Sequence, residues 1–346
     1  MKRKKLIAFS CVILLLFVFL MSACGKKEEK IKVRVLIVPK FEIGEMTGDF
    51  PGEAQLFYEY YCAGCEEIAI ANTTPTAHFY MNEENGVGLL ITGSGKTAAG
   101  LSFMSLLSDE AYDFSDAMII SVGCSGGNTG FARYGDVVLV TSACDLELGH
   151  HTDKQELTDP DRGHTWFPDE ADNDYACRQM NPELCEKAYQ LIKDCPLRTT
   201  DITEHVLAEN FPDEEWAQRE PRVLKGTAIT ADSYWKGAED HSNASFVAEY
   251  YGCNDRYTVT EMEEIAVINT AECFGLGDRV ISLRVVVNLD TFLKGESPEQ
   301  LWLDEEDFES GATAEKGETV DIFEPGMENL FDTCRIIIDA ILAGEF

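Results

Sequence analysis

Short apolar runs recur along this chain, each separated from the next by stretches of mixed polarity. KVRVLIVP (32–39) is rich in β-branched residues and stopped by Pro39; VGLLIT (87–92), AMIISV (117–122), DVVLVTSA (136–143), VLKGTAIT (223–230) and RVISLRVVV (279–287) repeat the pattern. Runs of this length and composition predict buried strands. Between them, apolar positions follow a helical period over 97–107, 182–193, 245–251, 261–274 and 327–342. Strands alternating with helices predict an α/β fold, a mainly parallel or mixed sheet covered on both faces. The Asp-, Pro- and Gly-rich stretch 153–174 and the acidic stretch 294–326 read as surface excursions. No internal repeat and no second long apolar span is present, so residues 32–346 read as one domain.

The first residues stand apart. Met1-Lys2-Arg3-Lys4-Lys5 precedes an uncharged run from Leu6 to Met21, and Ser22-Ala23-Cys24 leads into the charged GKKEEK. A run this short is marginal for spanning a bilayer and has the form of a signal peptide. Small residues directly before a cysteine are the lipoprotein version of that signal. Residues 1–23 are thus expected to be removed, with lipidated Cys24 opening a linker over 24–31. Met21, where Leu is usual, departs mildly from that pattern, and an uncleaved N-terminal anchor is the alternative. Either arrangement tethers an extracytoplasmic domain to a membrane.

Charge narrows the partners. The chain carries 28 Lys+Arg against 62 Asp+Glu. Loss of residues 1–23 removes four basic residues and no acidic one, leaving 24 against 62, a net of −38. Such a surface repels nucleic acid and anionic headgroups. Any anion site has to be built locally, from backbone N–H groups and an occasional arginine. The twelve cysteines include Cys11 and Cys24 near the N-terminus. Outside the cell some of the other ten could pair, but they are scattered, and Cys144, Cys273 and Cys334 sit in apolar segments, where a cysteine behaves as a small hydrophobe. Cys62 and Cys65 have CxxC spacing, but without a second pair or neighbouring histidines they read as ordinary helix-end cysteines, with a redox pair as the alternative. No metal site is expected.

Two glycine-rich stretches invite functional readings. ITGSGKTAAG (91–100) contains Gly95-Lys96-Thr97, the end of a P-loop, but that motif needs a glycine where Leu90 stands. What remains is a strand–glycine turn–helix, either structural or one wall of a site. Gly123-Cys124-Ser125-Gly126-Gly127 matches the GxSxG nucleophile elbow. A hydrolase built on Ser125 needs an acid and then a histidine late in the chain, yet the last histidine is His241. Consecutive glycines otherwise serve close backbone approach to a ligand.

Three further segments carry polar groups at element ends. TEMEE (260–264) opens a helix, where a carboxylate suits a sugar diol, although acidic residues favour helix N-termini in any case. SLRVVVNLD (282–290) delivers Asn288 and Asp290 at a strand's carboxyl end, the ligand side of open α/β sheets. GTAITADSYWKG (226–237) ends in Tyr234-Trp235, aromatics suited to stacking on a planar base or to the core.

In order, these segments resemble the nucleoside phosphorylase/nucleosidase superfamily. ENGVGLLITGSGKTAAG, RVLKGTAITADSYWKG, TEMEE and LRVVVNLD are most similar to the purine nucleoside permease family, from about Lys32 to the C-terminus. The resemblance implies a three-layer α/β/α sandwich around a mixed sheet and a purine nucleoside as ligand. It places Gly95, Cys124, Ser125 and Gly126 at the phosphate, water or ribose end, Met262 and Glu263 on the ribose, and Tyr234, Trp235 and Asn288 at the base. Asn288 stands where the superfamily has an Asp or Asn that supports the leaving purine. An Asn cannot be a general acid, so Asp290 or water would have to donate the proton, unless hydrogen bonding replaces donation. A strand-1 carboxylate that positions water is represented by Glu42 or Glu45. The arginines that hold phosphate in phosphorylases have no clear counterpart, and Cys124 replaces a phosphate-binding Ser. His150 and His151 either reach the ligand or form a solvated pair. No cofactor is implied, with inorganic phosphate an optional co-substrate. Membrane contact is expected through the lipid alone; a homo-oligomer and a separate transporter stay open, as does a binding component of uptake that performs no cleavage.

Overall fold

A computed structural model describes residues 29–159, 161–168, 173–296 and 321–346. The apolar N-terminal run expected to be a signal, Cys24 and most of the acidic stretch 294–326 fall outside the described residues. The six predicted strands all form, and three more join them in one nine-stranded sheet. In chain order these are β1 (Val35–Val38), β2 (His78–Asn82), β3 (Val87–Ile91), β4 (Met118–Gly127), β5 (Val137–Asp145), β6 (Cys177–Gln179), β7 (Val223–Thr230), β8 (Tyr257–Glu261) and β9 (Val280–Leu289). The spatial order is β6-β5-β7-β8-β4-β1-β3-β2, with β9 paired to both β4 and β5.

That last pairing closes a ring. β4 pairs with β8, β8 with β7, β7 with β5, β5 with β9, and β9 with β4 again. Five strands thus curl into a small barrel, while β1, β3 and β2 extend the sheet from β4. Closure removes the edges that β9 and β8 would otherwise leave unpaired.

The helices are α1 (Gln55–Tyr61), α2 (Lys96–Leu107), α3 (Pro182–Ile192), α4 (Asp201–Asn210), α5 (Ala238–Tyr250), α6 (Glu264–Cys273) and α7 (Phe323–Leu342). α2 and α6 pack together on one side; α1, α3 and α7 lie on the other. Strand alternation on β9 serves both layers: Val285 and Val287 approach Gly326 of α7, while Arg284 turns to α6. The sheet is therefore sandwiched, as its near-continuous apolar strands demand.

Several local expectations shift. The stretch Gly123 to Gly127 is not a loop after a strand but the second half of β4 itself. Glycine permits this because other side chains occupy its Cβ space: a Cβ on Gly123 would lie 2.5 Å from Arg284 Nη1 and 2.9 Å from Glu53 Oε1. The helix expected at 245–251 begins earlier, at Ala238, and the one expected at 261–274 begins at Glu264, because Tyr257–Glu261 is strand. Cys144, read as a small hydrophobe with its pairing left open, is bonded to Cys177 on the neighbouring strand. Cys62 caps the end of α1, and burial pushes its thiol up to about 12.

Candidate functional site

β4 has a gap along one edge. Its first residues, Met118 to Ser121, pair with β1, and its last, Gly126 and Gly127, pair with β8. The intervening backbone has no strand beside it there, and buried backbone groups need partners. Side chains supply them: Lys40 Nζ donates to the Val122 carbonyl at 3.3 Å, and Cys124 N donates to Glu53 Oε1 at 2.7 Å. The gap is thus the seat of a buried charge cluster.

Arg284, 1% exposed, lies at its centre. Its Nη2 donates to Glu264 at 2.8 Å and stands 3.1 Å from Glu261; its Nη1 is 3.6 Å from Glu263. Burial opposes the guanidinium charge, but Glu261, Glu264 and Glu263 overcome it and hold the group well above its ordinary value. Lys40, also 1% exposed, donates to the Val38 carbonyl at 2.6 Å and to Ser121 Oγ at 2.8 Å. Burial, then the Arg284 charge, brings this ammonium down to about 8. Ser121 passes the link on, donating to Glu264 at 2.7 Å.

The four carboxylates are not equivalent. Glu261 ends β8 and accepts the Glu263 and Glu264 backbone N–H groups at 2.7 and 2.6 Å, while Thr230 donates to its other oxygen. It caps α6. Glu264 is opposed by burial, but Arg284 and Lys40 hold its carboxyl below the usual range. Glu53 spans the gap, accepting from Lys40 N at 2.8 Å and from Cys124 N. Glu263 is the poised one: its Oε1 accepts from Gly95 N at 2.8 Å, and burial pushes it up to about 7 against the pull of Arg284. The fold thus brings Glu263 and Gly95 together across 168 residues.

Other expected site residues separate. Asn288 lies half-buried beside Gly126, where a Cβ would come within 2.9 Å of its Nδ2, and its side chain bonds to no other described residue. Met262 is half-buried between Glu261 and Glu263. Asp290 is fully buried, accepting from Thr129 N at 2.9 Å and Tyr257 Oη at 2.8 Å, with His241 Nδ1 at 2.7 Å. The Asp290 hydrogen bond raises His241 from its ordinary value. Glu42 accepts four backbone N–H groups, those of Ile43, Gly52, Ala54 and Gln55, and so ties the loop ahead of α1. Glu45 is exposed. Ser125 donates to the Val285 carbonyl at 3.0 Å. Trp235 belongs to a core group with Trp166 and Tyr257, whereas Tyr234 is 43% exposed. Cys124 lies against Glu53, and burial followed by that charge pushes its thiol well up.

Lys96 reaches Asp145 at 2.9 Å and Glu147 at 2.8 Å, so its charge is neutralised within the protein. His150 and His151 are exposed just ahead of the excursion, in a two-residue strand paired with Trp166–Phe167.

Sequence reasoning gave no role to Glu53, Lys40, Arg284 or His241. Arg284 had a signal: a cation in the middle of RVISLRVVV must be paired once buried. Glu53 had none, since an acid at a helix start is ordinary.

The sequence model of the purine nucleoside permease (NUP) family matches residues 32–344. A probable purine nucleoside permease of Schizosaccharomyces pombe is 23% identical over 195 residues, which span 52% of this chain and 55% of that relative. Among solved structures, the 5′-methylthioadenosine/S-adenosylhomocysteine nucleosidase of Neisseria meningitidis superposes with a TM-score of 0.52 at 15% identity, covering 90% of this chain and 99% of that one. Futalosine hydrolase of Helicobacter pylori strain 26695 gives 0.53 at 12% identity, with 89% and 97% covered. At such identities the likeness is one of fold: the nucleosidase-type α/β architecture.

Proposed function

The chain belongs to the purine nucleoside permease family, and on that premise we propose that it binds a purine nucleoside at the β4 gap and hydrolyses its N-glycosidic bond. The observation that carries this reading is Glu263: a carboxylate 5% exposed, at the mouth of a helix, oriented by the Gly95 N–H and tuned to about 7. Ionised, it accepts hydrogen bonds from two vicinal ribose hydroxyls. As the bond breaks, positive charge grows on the ribose, and neighbouring carboxylates stabilise it.

Charge count favours water over phosphate as the nucleophile. Around Arg284 and Lys40 stand Glu53, Glu261, Glu263 and Glu264, four acids to two bases. A phosphate anion would meet net repulsion there, and Lys96 is already committed to Asp145 and Glu147. Glu53 is placed to orient the water, because its Oε1 lies at Cys124 N on the open edge of β4. Asn288 hydrogen-bonds the departing purine.

A second reading follows from the same residue: Asn288 holds no ionisable proton, and a site without a general acid suits binding alone. The chain would then be the nucleoside-binding component of an uptake system. No helix among the described residues is long and apolar enough to cross a membrane. We propose that lipidated Cys24 anchors it there after removal of residues 1–23.

Incubating the mature protein with inosine, with and without phosphate, separates these readings. Hypoxanthine released equally in both conditions supports hydrolysis. Release only with phosphate overturns it in favour of phosphorolysis, and binding without release leaves the uptake component.

A further inference from the structure

Cys144 of β5 is disulfide-bonded to Cys177 of β6, and a third thiol, Cys253 in the turn after α5, touches both sulfurs: its Sγ lies 3.4 Å from that of Cys144 and 3.6 Å from that of Cys177. Three cysteines far apart in sequence thus meet within 4.8 Å of one another. Cys144 is fully buried, whereas Cys177 and Cys253 are half-buried. Burial raises the Cys253 thiol above its ordinary value.

We propose that Cys144, Cys177 and Cys253 form a thiol–disulfide exchange site whose outer sulfurs take small-molecule disulfides. A thiolate attacks a disulfide sulfur in line with the bond that breaks, so Cys253, in contact with both sulfurs but beside their bond, has only to swing about its own side-chain torsion to reach that line. Cys253 gives its proton to solvent and attacks Cys144 Sγ. The Cys253–Cys144 bond forms, the Cys144–Cys177 bond breaks, and Cys177 leaves as a thiolate. This step is an isomerisation and needs no oxidant. The half-buried Cys177 thiolate then attacks a small disulfide, forming a mixed disulfide on Cys177 and expelling one small thiolate.

The exchange changes which part of the chain is stapled. The bond between Cys144 and Cys177 closes a loop over 33 positions, and that loop contains Glu147 and, beyond it, the excursion 153–174 with Trp166. A bond from Cys144 to Cys253 spans 109 positions and leaves that excursion without its covalent tie. Glu147 accepts from the Asp232 and Ser233 backbone N–H groups at 2.8 and 3.2 Å, so it links the loop to the segment bearing Tyr234.

The test uses the intact protein, alkylated under native conditions and mapped by mass spectrometry without reduction. Two linked peptides are expected, Cys144 with Cys177 and Cys144 with Cys253, the remaining thiol carrying the alkyl group in each case. In a separate sample that has not been alkylated, incubation with oxidised glutathione should place a glutathione adduct on Cys177. The Cys253→Ser variant should show only the first peptide and no adduct, and air-oxidised Cys177→Ser should join Cys144 to Cys253. A single isomer in the wild type, with Cys253 fully alkylated and Cys177 never modified, overturns the proposal. So do free Cys144 and Cys253 thiols in oxidised Cys177→Ser. Protection of all three sulfurs that a chelator abolishes also overturns it, in favour of a metal thiolate site.

Discussion

The Arg284 guanidinium lies 2.8 Å from the Glu264 carboxylate, and neither side chain has appreciable contact with water. Removing one partner of such a pair strands the other's charge in the interior. Arg284→Met is therefore expected to cost about 3–5 kcal/mol of stability, read by urea unfolding. Adding Glu264→Gln to that variant should recover part of the loss. An Arg284→Met protein as stable as the wild type would mean that the cluster is neutral or solvated.

Glu263 couples binding to stability with opposite signs. Its carboxyl is raised to about 7 by burial, so the folded protein holds a proton there at pH values where the unfolded chain has released it. Stability from this group is therefore present at low pH and lost as pH rises from the ordinary carboxyl range through about 7. Riboside affinity should run the other way, rising through the same window as the acceptor ionises. Glu263→Gln should weaken riboside binding about 10- to 100-fold, the worth of hydrogen bonds to a charged group, yet spare free bases. Above pH 7 it should also melt higher than the wild type. Isothermal titration and thermal melts at several pH values check both; equal losses for ribosides and bases contradict the ribose role.

Glu42 and Glu53 are both carboxylates of the β1–α1 connection, and the fold gives them different work. Glu42 is surrounded by four backbone donors, so Glu42→Gln should lower stability by about 1–2 kcal/mol and leave turnover per folded molecule nearly intact. Glu53 faces the gap in β4. Glu53→Gln should reduce turnover about 10²- to 10⁴-fold with little change in riboside affinity. Single-turnover assays beside binding titrations distinguish the two, and the reverse pattern would return the water-positioning role to Glu42.

Gly123 has no room for a side chain. A methyl group there would sit 2.5 Å from Arg284 Nη1 and 2.9 Å from Glu53 Oε1. Gly123→Ala should cost about 1–3 kcal/mol by overpacking and reduce activity with it. Gly163→Ala, where nothing lies within 4 Å of the added carbon, should stay within about 0.5 kcal/mol of wild type.

The linear pattern carried the fold class, because strand and helix periods are local properties written in adjacent residues. VLIV, VGLLI and VISLRVVV are strands for reasons contained in themselves. The TEMEE and LRVVVNLD segments likewise pointed to the region where Glu263 and Asn288 lie. What no local pattern encodes is which distant groups meet. Whether the Gly123 to Gly127 glycines formed a loop or a strand depended on Arg284, Glu53 and Asn288 filling the space that their missing side chains left. The different partners of Glu42 and Glu53 depended on which of them the chain turned toward β4. The three cysteines at 144, 177 and 253 met only because β5, β6 and the turn after α5 converge. Sequence determined the elements and the kinds of chemistry available; the tertiary structure decided the pairings, because a buried charge or thiol takes its properties from neighbours that only closure of the barrel brings within reach.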